Sequence, residues 1–326
     1  MNIAMAFFFD DYIKKIAVAK QLGVTHAVVN VNPQMRTLNN DYNFEPFLKR
    51  LNDFNEAGIK VDVIEGPTPL EKTKLGRHGR DEEIEVFFKL LHIMAKNNIK
   101  TVCYNWMPVV GWFRNLYDIP SRGGALVTGY NHKLSKELDN TEYGVVTADE
   151  MWKNLEYFLK AVIPVAEKLG IKLAIHPDDP PVESLRGISR ILISFNDLKK
   201  ATELIPSECN GITLCQGSLV AMGEDPLEAI DYFGKHKKLF FAHFRDIRGD
   251  RYDFKETFHD DGPTDMYKCI RKYYDVNFNG CIRPDHVPTM PGEDNTHPGY
   301  SLLGNYYAVG YMKGLIEAAK KEVHNG

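Results

Sequence analysis

The chain has 326 residues, 44 % hydrophobic and 26 % charged, and its 40 Lys and Arg against 44 Asp and Glu leave a net charge of −4. These values match globular averages, so a disordered or collagen-like chain is excluded, and the slight acidity leaves no basic footprint for nucleic acid or an anionic membrane. The five cysteines are odd in number and scattered, which fits a reduced, cytoplasmic protein better than a disulfide scaffold.

No apolar run approaches the ~20 residues of a membrane helix. The opening MNIAMAFFFDDY lacks the basic segment of a signal peptide and reaches Asp10 and Asp11 at once. From there, short β-branched or aromatic runs alternate with longer helical patterns. A strand pattern at 2–8 precedes a helix pattern at 10–22, 25–31 precedes 44–57, and 60–64 precedes 81–97. The fourth strand pattern, 100–106, is followed by a long irregular segment and then a helix at 148–169. Strands at 172–176, 211–215, 238–243 and 280–285 precede helices at 194–204, 226–233, 264–274 and 302–321. Gly23, Gly58 and Gly170 sit where a helix stops just before a strand. Thr147 and the pair Asp225-Pro226 mark helix starts.

Strands alternating with helices imply parallel strands joined by crossovers. Eight units of about 41 residues predict an α/β (β/α)8 TIM barrel. No G-x-G-x-x-G follows the first strand, so a doubly wound sheet is the weaker alternative. Without a Ser/Gly/Pro linker or a break in composition, 1–326 reads as one barrel domain. The loop around 107–147 is expected to lie over the C-terminal mouth, where barrel active sites sit.

The last four strands end alike. The fifth ends at His176, the sixth at Cys215, the seventh at His243 and the eighth at Asp285, spaced by roughly one βα unit. Imidazole, thiolate, imidazole and carboxylate on consecutive strand ends form a donor set for a divalent ion with open positions for substrate. Each residue alone is as well explained by hydrogen bonding or packing; the spacing of the four carries the reading. Cys103, Cys209, Cys269 and Cys281 read as core or packing residues. Glu65 and Asn105 end the third and fourth strands and face the mouth, and Arg245 and His259 lie in the loop after the seventh. All four are candidate substrate contacts. Asp178 and Asp179, with Arg186 and Arg190, read equally well as a salt-bridged loop. Arg283, two before Asp285 on the same strand face, is expected one layer deeper, positioning that carboxylate. The Pro- and Gly-rich segment 286–304 brings His286 and Tyr300, suited to general acid–base work beside a Lewis acid.

These strings resemble the mannonate dehydratase family. The resemblance rests on VCYNWMPV (102–109), IHPDDPP (175–181), LRGISRI (185–191), NGITLCQGSL (210–219), AHFRDI (242–247), RPDH (283–286), PGYSLLG (298–304) and GRDEEIEVF (79–87), in family order. It implies a barrel of the xylose-isomerase-like kind. It also implies dehydration of D-mannonate to 2-keto-3-deoxy-D-gluconate in hexuronate catabolism, with Mn²⁺ as the usual metal. The family's metal ligands fall on His176, Cys215, His243 and Asp285, and its acid–base residues on His286 and Tyr300. Softness alone would favour Fe²⁺ or Zn²⁺ beside a thiolate. One of His286 and Tyr300 would take the C2 proton and the other would protonate the departing C3 hydroxyl; the residues leave the assignment open.

The chain departs from the family at AMAFFFDD (4–11), where an aromatic–Arg–aromatic segment is usual, and at VNVNPQ (29–34), where a His-rich one is. It departs again at WFRNLYD (112–118) and after RPDH, where Val287 and Pro288 follow. The substrate-facing rim is thus altered while the donor set is kept. The alternatives are a metal-dependent sugar isomerase or epimerase of the same fold, and a catalytically silent sugar-acid binding protein. The expected partner is a small sugar acid. The aromatic segment 106–112 suits a homo-oligomer interface or a lid.

Overall fold

The computed structural model describes residues 1–31 and 42–325, with side chains through 322. The altered second-strand segment at 32–34 lies outside these residues. Eight parallel strands close a barrel in chain order. They are Asn2–Phe7, His26–Val29, Lys60–Glu65, Thr101–Asn105, Lys172–His176, Asn210–Cys215, Leu239–Phe244 and Cys281–Pro284. Around them run Tyr12–Gln21, Glu45–Glu56, Arg80–Lys96, Ala148–Leu169, Phe195–Leu204, Pro226–Lys235, Met266–Asp275 and Leu302–Asn325. The expected (β/α)8 barrel is the observed one.

Alternation along each strand builds two cores. One face fills the barrel with small and medium side chains: Ala4, Val28, Val63, Cys103, Ala174, Phe241 and Cys281. The other meets the helices through residues such as Met5, Phe7, Ile64, Val102, Tyr104 and Ile175. Caps fix the helices against this frame. Thr147 and Glu150 form a reciprocal capping box at the start of the longest crossover helix. Gly170 ends that helix at φ 65°, a conformation that penalises a side chain.

The segment after the fourth strand is not the irregular loop its sequence predicts. It holds strands Leu116–Pro120 and Leu126–Asn131, paired antiparallel. The second of these pairs with Asp253–Glu256, which in turn pairs with Ile247–Asp250 from the seventh βα loop. Two distant insertions thus form one four-stranded sheet at the C-terminal end of the barrel. Its strands span four to six residues, and all but the largely buried Leu126–Asn131 are substantially exposed, so they bear little of the apolar alternation that marks a strand. Among the described residues, no helix is long and apolar enough to cross a membrane.

Candidate active site

Strand register sets the height of each donor. Cys215 pairs with His243, His243 with Arg283, and Asn105 with His176. Asp285 therefore stands two residues beyond Arg283, toward the mouth. His176, Cys215 and His243 each offer a ligand atom, all within 4.8 Å of one another. His243 Nδ1 lies 3.1 Å from His176 Nε2 and 3.5 Å from Asp285 Oδ2. The four strand ends expected to converge do so.

The remaining nitrogen of His176 is held as in a metal centre, Nδ1 lying 2.6 Å from the Pro177 carbonyl, while His243 Nε2 makes no hydrogen bond but stands 3.3 Å from the carboxylate oxygen Glu65 Oε1. A partner such as that carbonyl fixes the tautomer and aims the other nitrogen at the ion. Arg283 grips Glu65 through Nε and Nη2 at 2.8 and 2.6 Å, and Asp285 Oδ1 through Nη1 at 2.7 Å. That is the deeper position expected for it.

Burial would push the Cys215 thiol up. The Arg245 guanidinium, with Nε 3.2 Å from Sγ, and hydrogen bonds from His176 and His243 bring it well below the usual thiol range. Burial likewise opposes ionisation of Asp285, but Arg283, His286 and His243 hold it well below the usual carboxylate range. Glu65 is held at about 2 by Arg283 and His243, and Glu256 at about 2 by Arg245, His286 and Arg114, each against its burial. Asp179 is kept low, against burial, by Arg114 and Arg245. Four buried anions and the partly exposed Glu65 thus face three buried cations, Arg114, Arg245 and Arg283. Against its burial, Glu65 and Asp285 raise the His243 imidazole to about 10, so without an ion it carries a compensating proton; a bound ion would displace that proton and leave two negative charges for it to balance. Buried unpaired charge is strongly unfavourable, and one divalent cation balances it. Donor chemistry, imidazole orientation and charge all fit such an ion.

A cavity of about 100 Å³ opens beside this cluster. Its walls include Glu65, Asn105, Trp112, His176, His286 and Tyr300. His286 sits at φ 41°, a strained value for a side chain other than glycine. Its Nδ1 lies 2.9 Å from Glu256 Oε1, and its ring lies 4.9 Å from Trp112 and 5.8 Å from Tyr300. Burial and Asp285 push the Tyr300 hydroxyl well above its usual value. An isolated bridge from Val287 to Tyr300 folds the last loop back so that the two rings meet.

Two of the four candidate substrate contacts, Glu65 and Asn105, line this cavity. Arg245 and His259 are not among its lining residues. Arg245 is 1 % exposed and held by Asp179, Glu256, Asp285, Ser218 and Cys215. His259 is fully buried, stacked on Phe244 at 5.9 Å, on the strand face away from the barrel interior. In the fifth loop, Asp178 is structural, accepting from Arg190 and from the backbone of Ile191 and Leu192. Asp179 instead belongs to the charge network.

Sequence reasoning missed Glu256, Arg114 and Trp112. All three arrive on the two insertions, and no local motif marks them. Arg114 donates to Asp179 at 2.6 and 2.9 Å and to Glu256 at 2.6 Å. The one available signal was WFRN beside the barrel mouth, read there only as a departure from the family.

Fold and donor set together describe a (β/α)8 barrel whose C-terminal mouth carries a cluster of side chains able to hold a metal ion. A family model described as D-mannonate dehydratase matches residues 1–144 and 132–325. The chain belongs to the mannonate dehydratase family, which consists of metal-dependent hydro-lyases. It is 35 % identical to the mannonate dehydratase of Thermotoga maritima over 314 residues, 85 % of this chain and 86 % of that one. It is 36 % identical to the mannonate dehydratase of Streptococcus uberis over 304 residues, 84 % and 86 % of the two chains. The crystal structure of mannonate dehydratase from Streptococcus suis serotype 2 superposes with a TM-score of 0.87 at 29 % identity, covering 99 % of this chain and 96 % of that one. A D-tagatose 3-epimerase-like protein shares the fold, with a TM-score of 0.64 at 13 % identity, covering 99 % of this chain and all of the other.

Proposed function

We propose that the chain dehydrates D-mannonate to 2-keto-3-deoxy-D-gluconate, with His286 as the base and Tyr300 as the acid. The observation that carries this reading is the meeting of His286 and Tyr300 at the wall of the cavity that His176 and His243 also line. His176, Cys215, His243 and Asp285 would hold a divalent ion, by family resemblance Mn²⁺, with Fe²⁺ as the softer option. When bound, it supplies Lewis-acid charge for the substrate's carboxylate and neighbouring hydroxyl.

The division of labour follows from hydrogen bonding. Glu256 accepts a hydrogen bond from Nδ1–H of His286 and so favours the tautomer whose Nε2 carries a lone pair for the C2 proton. Tyr300, half-buried with its hydroxyl pushed well above the usual value, retains a proton to give to the C3 hydroxyl as it leaves. The enol product then tautomerises to the 2-keto acid. Asn105 is proposed as a substrate contact: its carbonyl accepts from Lys74 and from Met107 N at 3.1 Å each, which leaves its amide N–H₂ to donate. Glu65 acts through His243 and Arg283. Arg245 serves the thiolate and carboxylate ligands rather than the sugar acid.

The test is metal-stripped protein incubated with D-mannonate, with and without Mn²⁺, following formation of the 2-keto-3-deoxy acid. Mn²⁺-dependent product is expected, reduced ~10²–10⁴-fold in His286→Ala. Absence of product from protein that holds its metal stoichiometrically would reject the substrate. Turnover without loss of water would reject the dehydration.

A further inference from the structure

A second set of soft donors lies at the opposite end of the barrel. His26 opens the second strand, Asp62 lies near the start of the third, and Cys281 opens the eighth. One ligand atom from each falls within 4.8 Å of the others. Cys281 Sγ donates to Asp62 Oδ2 at 3.3 Å, and His26 Nδ1 is in direct contact with the same oxygen. The other oxygen, Oδ1, pairs with Lys60, whose side chain is 60 % exposed. The lysine therefore stands outside the triangle formed by the three donor atoms.

From this geometry we propose a second, structural metal site for a borderline-soft divalent ion such as Zn²⁺. A tetrahedral ion holds N, O and S ligands at ~2.0–2.3 Å, which sets them ~3.3–3.6 Å apart. The three donor atoms lie within 4.8 Å of one another, Cys281 Sγ and Asp62 Oδ2 at 3.3 Å, and an ion entering would open the direct contact between His26 and Asp62 to that spacing, with water left to fill a fourth position. His26 and Asp62 keep side-chain exposures of 21 % and 14 %, and a cavity of about 280 Å³ beside Asp62 and Cys281 gives an ion a path inward. Binding replaces the Cys281 thiol proton, which is released to solvent, while neutral His26 carries its proton on Nε2. Thiolate and carboxylate together neutralise the dication.

The site would have a structural task. The first strand separates the eighth from the second in the barrel. An ion bound by Cys281, His26 and Asp62 would bridge the eighth, second and third strands across it, as structural zinc ties together elements that packing alone leaves loose. Cys281 and Asp285 are separated by four residues of strand, about 13 Å at ~3.3 Å per residue. The two centres are therefore distinct, and the inference is independent of the reaction proposed above.

Stripped full-length protein loaded with Co²⁺ tests this by metal analysis and thiolate-to-cobalt charge-transfer absorption. The wild type is expected to hold two ions per chain. Cys281→Ser is expected to hold one and to keep its dehydratase activity. Cys215→Ser is expected to retain a thiolate band contributed by Cys281. One ion per chain in the wild type, with the band abolished by Cys215→Ser, would overturn the proposal. So would a second ion that persists with its band undiminished in Cys281→Ser. The wild-type count and Cys215→Ser decide the matter even if Cys281→Ser does not fold.

Discussion

Glu256 shows how much one side chain can organise. Its Oε1 meets Arg114 Nη2 at 2.6 Å, Arg245 Nη1 at 3.0 Å and His286 Nδ1 at 2.9 Å. It therefore couples the proposed base to Arg245, the cation that holds both Asp285 and the Cys215 sulfur. Glu256→Gln keeps the shape and removes the charge. Expected is a ~10–100-fold loss in kcat with metal content unchanged, the range seen when a partner behind a functional histidine is altered. Unchanged kcat would show that His286 needs no carboxylate behind it. Such a residue is invisible in sequence because its meaning lies in three partners on three other segments. His176, Cys215, His243 and Asp285 were legible because strand ends recur at a regular spacing and each presents its side chain at the same rim.

Among the elements, the four-stranded antiparallel sheet is the addition that makes a generic barrel into this site. It carries Glu256, and the chain entering it carries Trp112 and Arg114. Gly129 is the close point of that sheet. A Cβ there would stand 2.6 Å from the Phe254 carbonyl oxygen and 2.5 Å from Ile119 Cδ1. Gly129→Val is expected to push Leu126–Asn131 away from Asp253–Glu256 and displace Glu256, lowering activity at least ~10-fold, since misplacement by ~1 Å can cost 10²-fold. Far-UV circular dichroism should stay close to wild type because the barrel does not depend on this contact. Full activity would show that the sheet tolerates the shift. The barrel elements were readable because long amphipathic helices and apolar strands leave a strong period. The sheet was not, because short strands with one wet face do not.

At the scale of the whole molecule, buried charge governs the response to acid. Glu65 and Glu256 are each held at about 2 in the folded chain, below their ordinary value of 4.5. A carboxyl depressed on folding contributes stability above its unfolded value, and that contribution is lost as pH falls through the folded one. The urea midpoint is therefore expected to be flat from pH 7 to about 5 and to fall steeply from there toward pH 2. A midpoint unchanged at pH 3 would contradict the buried pairing. Composition and net charge announce none of this, since a near-neutral total conceals four carboxylates, a thiol and three arginines gathered at one end of the barrel.

The strand–helix units and the mouth also differ in when they come into being. Each barrel strand after the first meets a sequence neighbour one βα unit away, whereas Arg114 and Glu256 lie 142 residues apart. Closing so long a loop costs entropy before any contact repays it, and such contacts form late. The pairing of Asn2 with Cys281 that closes the barrel spans a still longer loop, so both closures come after the local strand–helix units, and the recovery of activity is expected to lag behind the recovery of secondary structure.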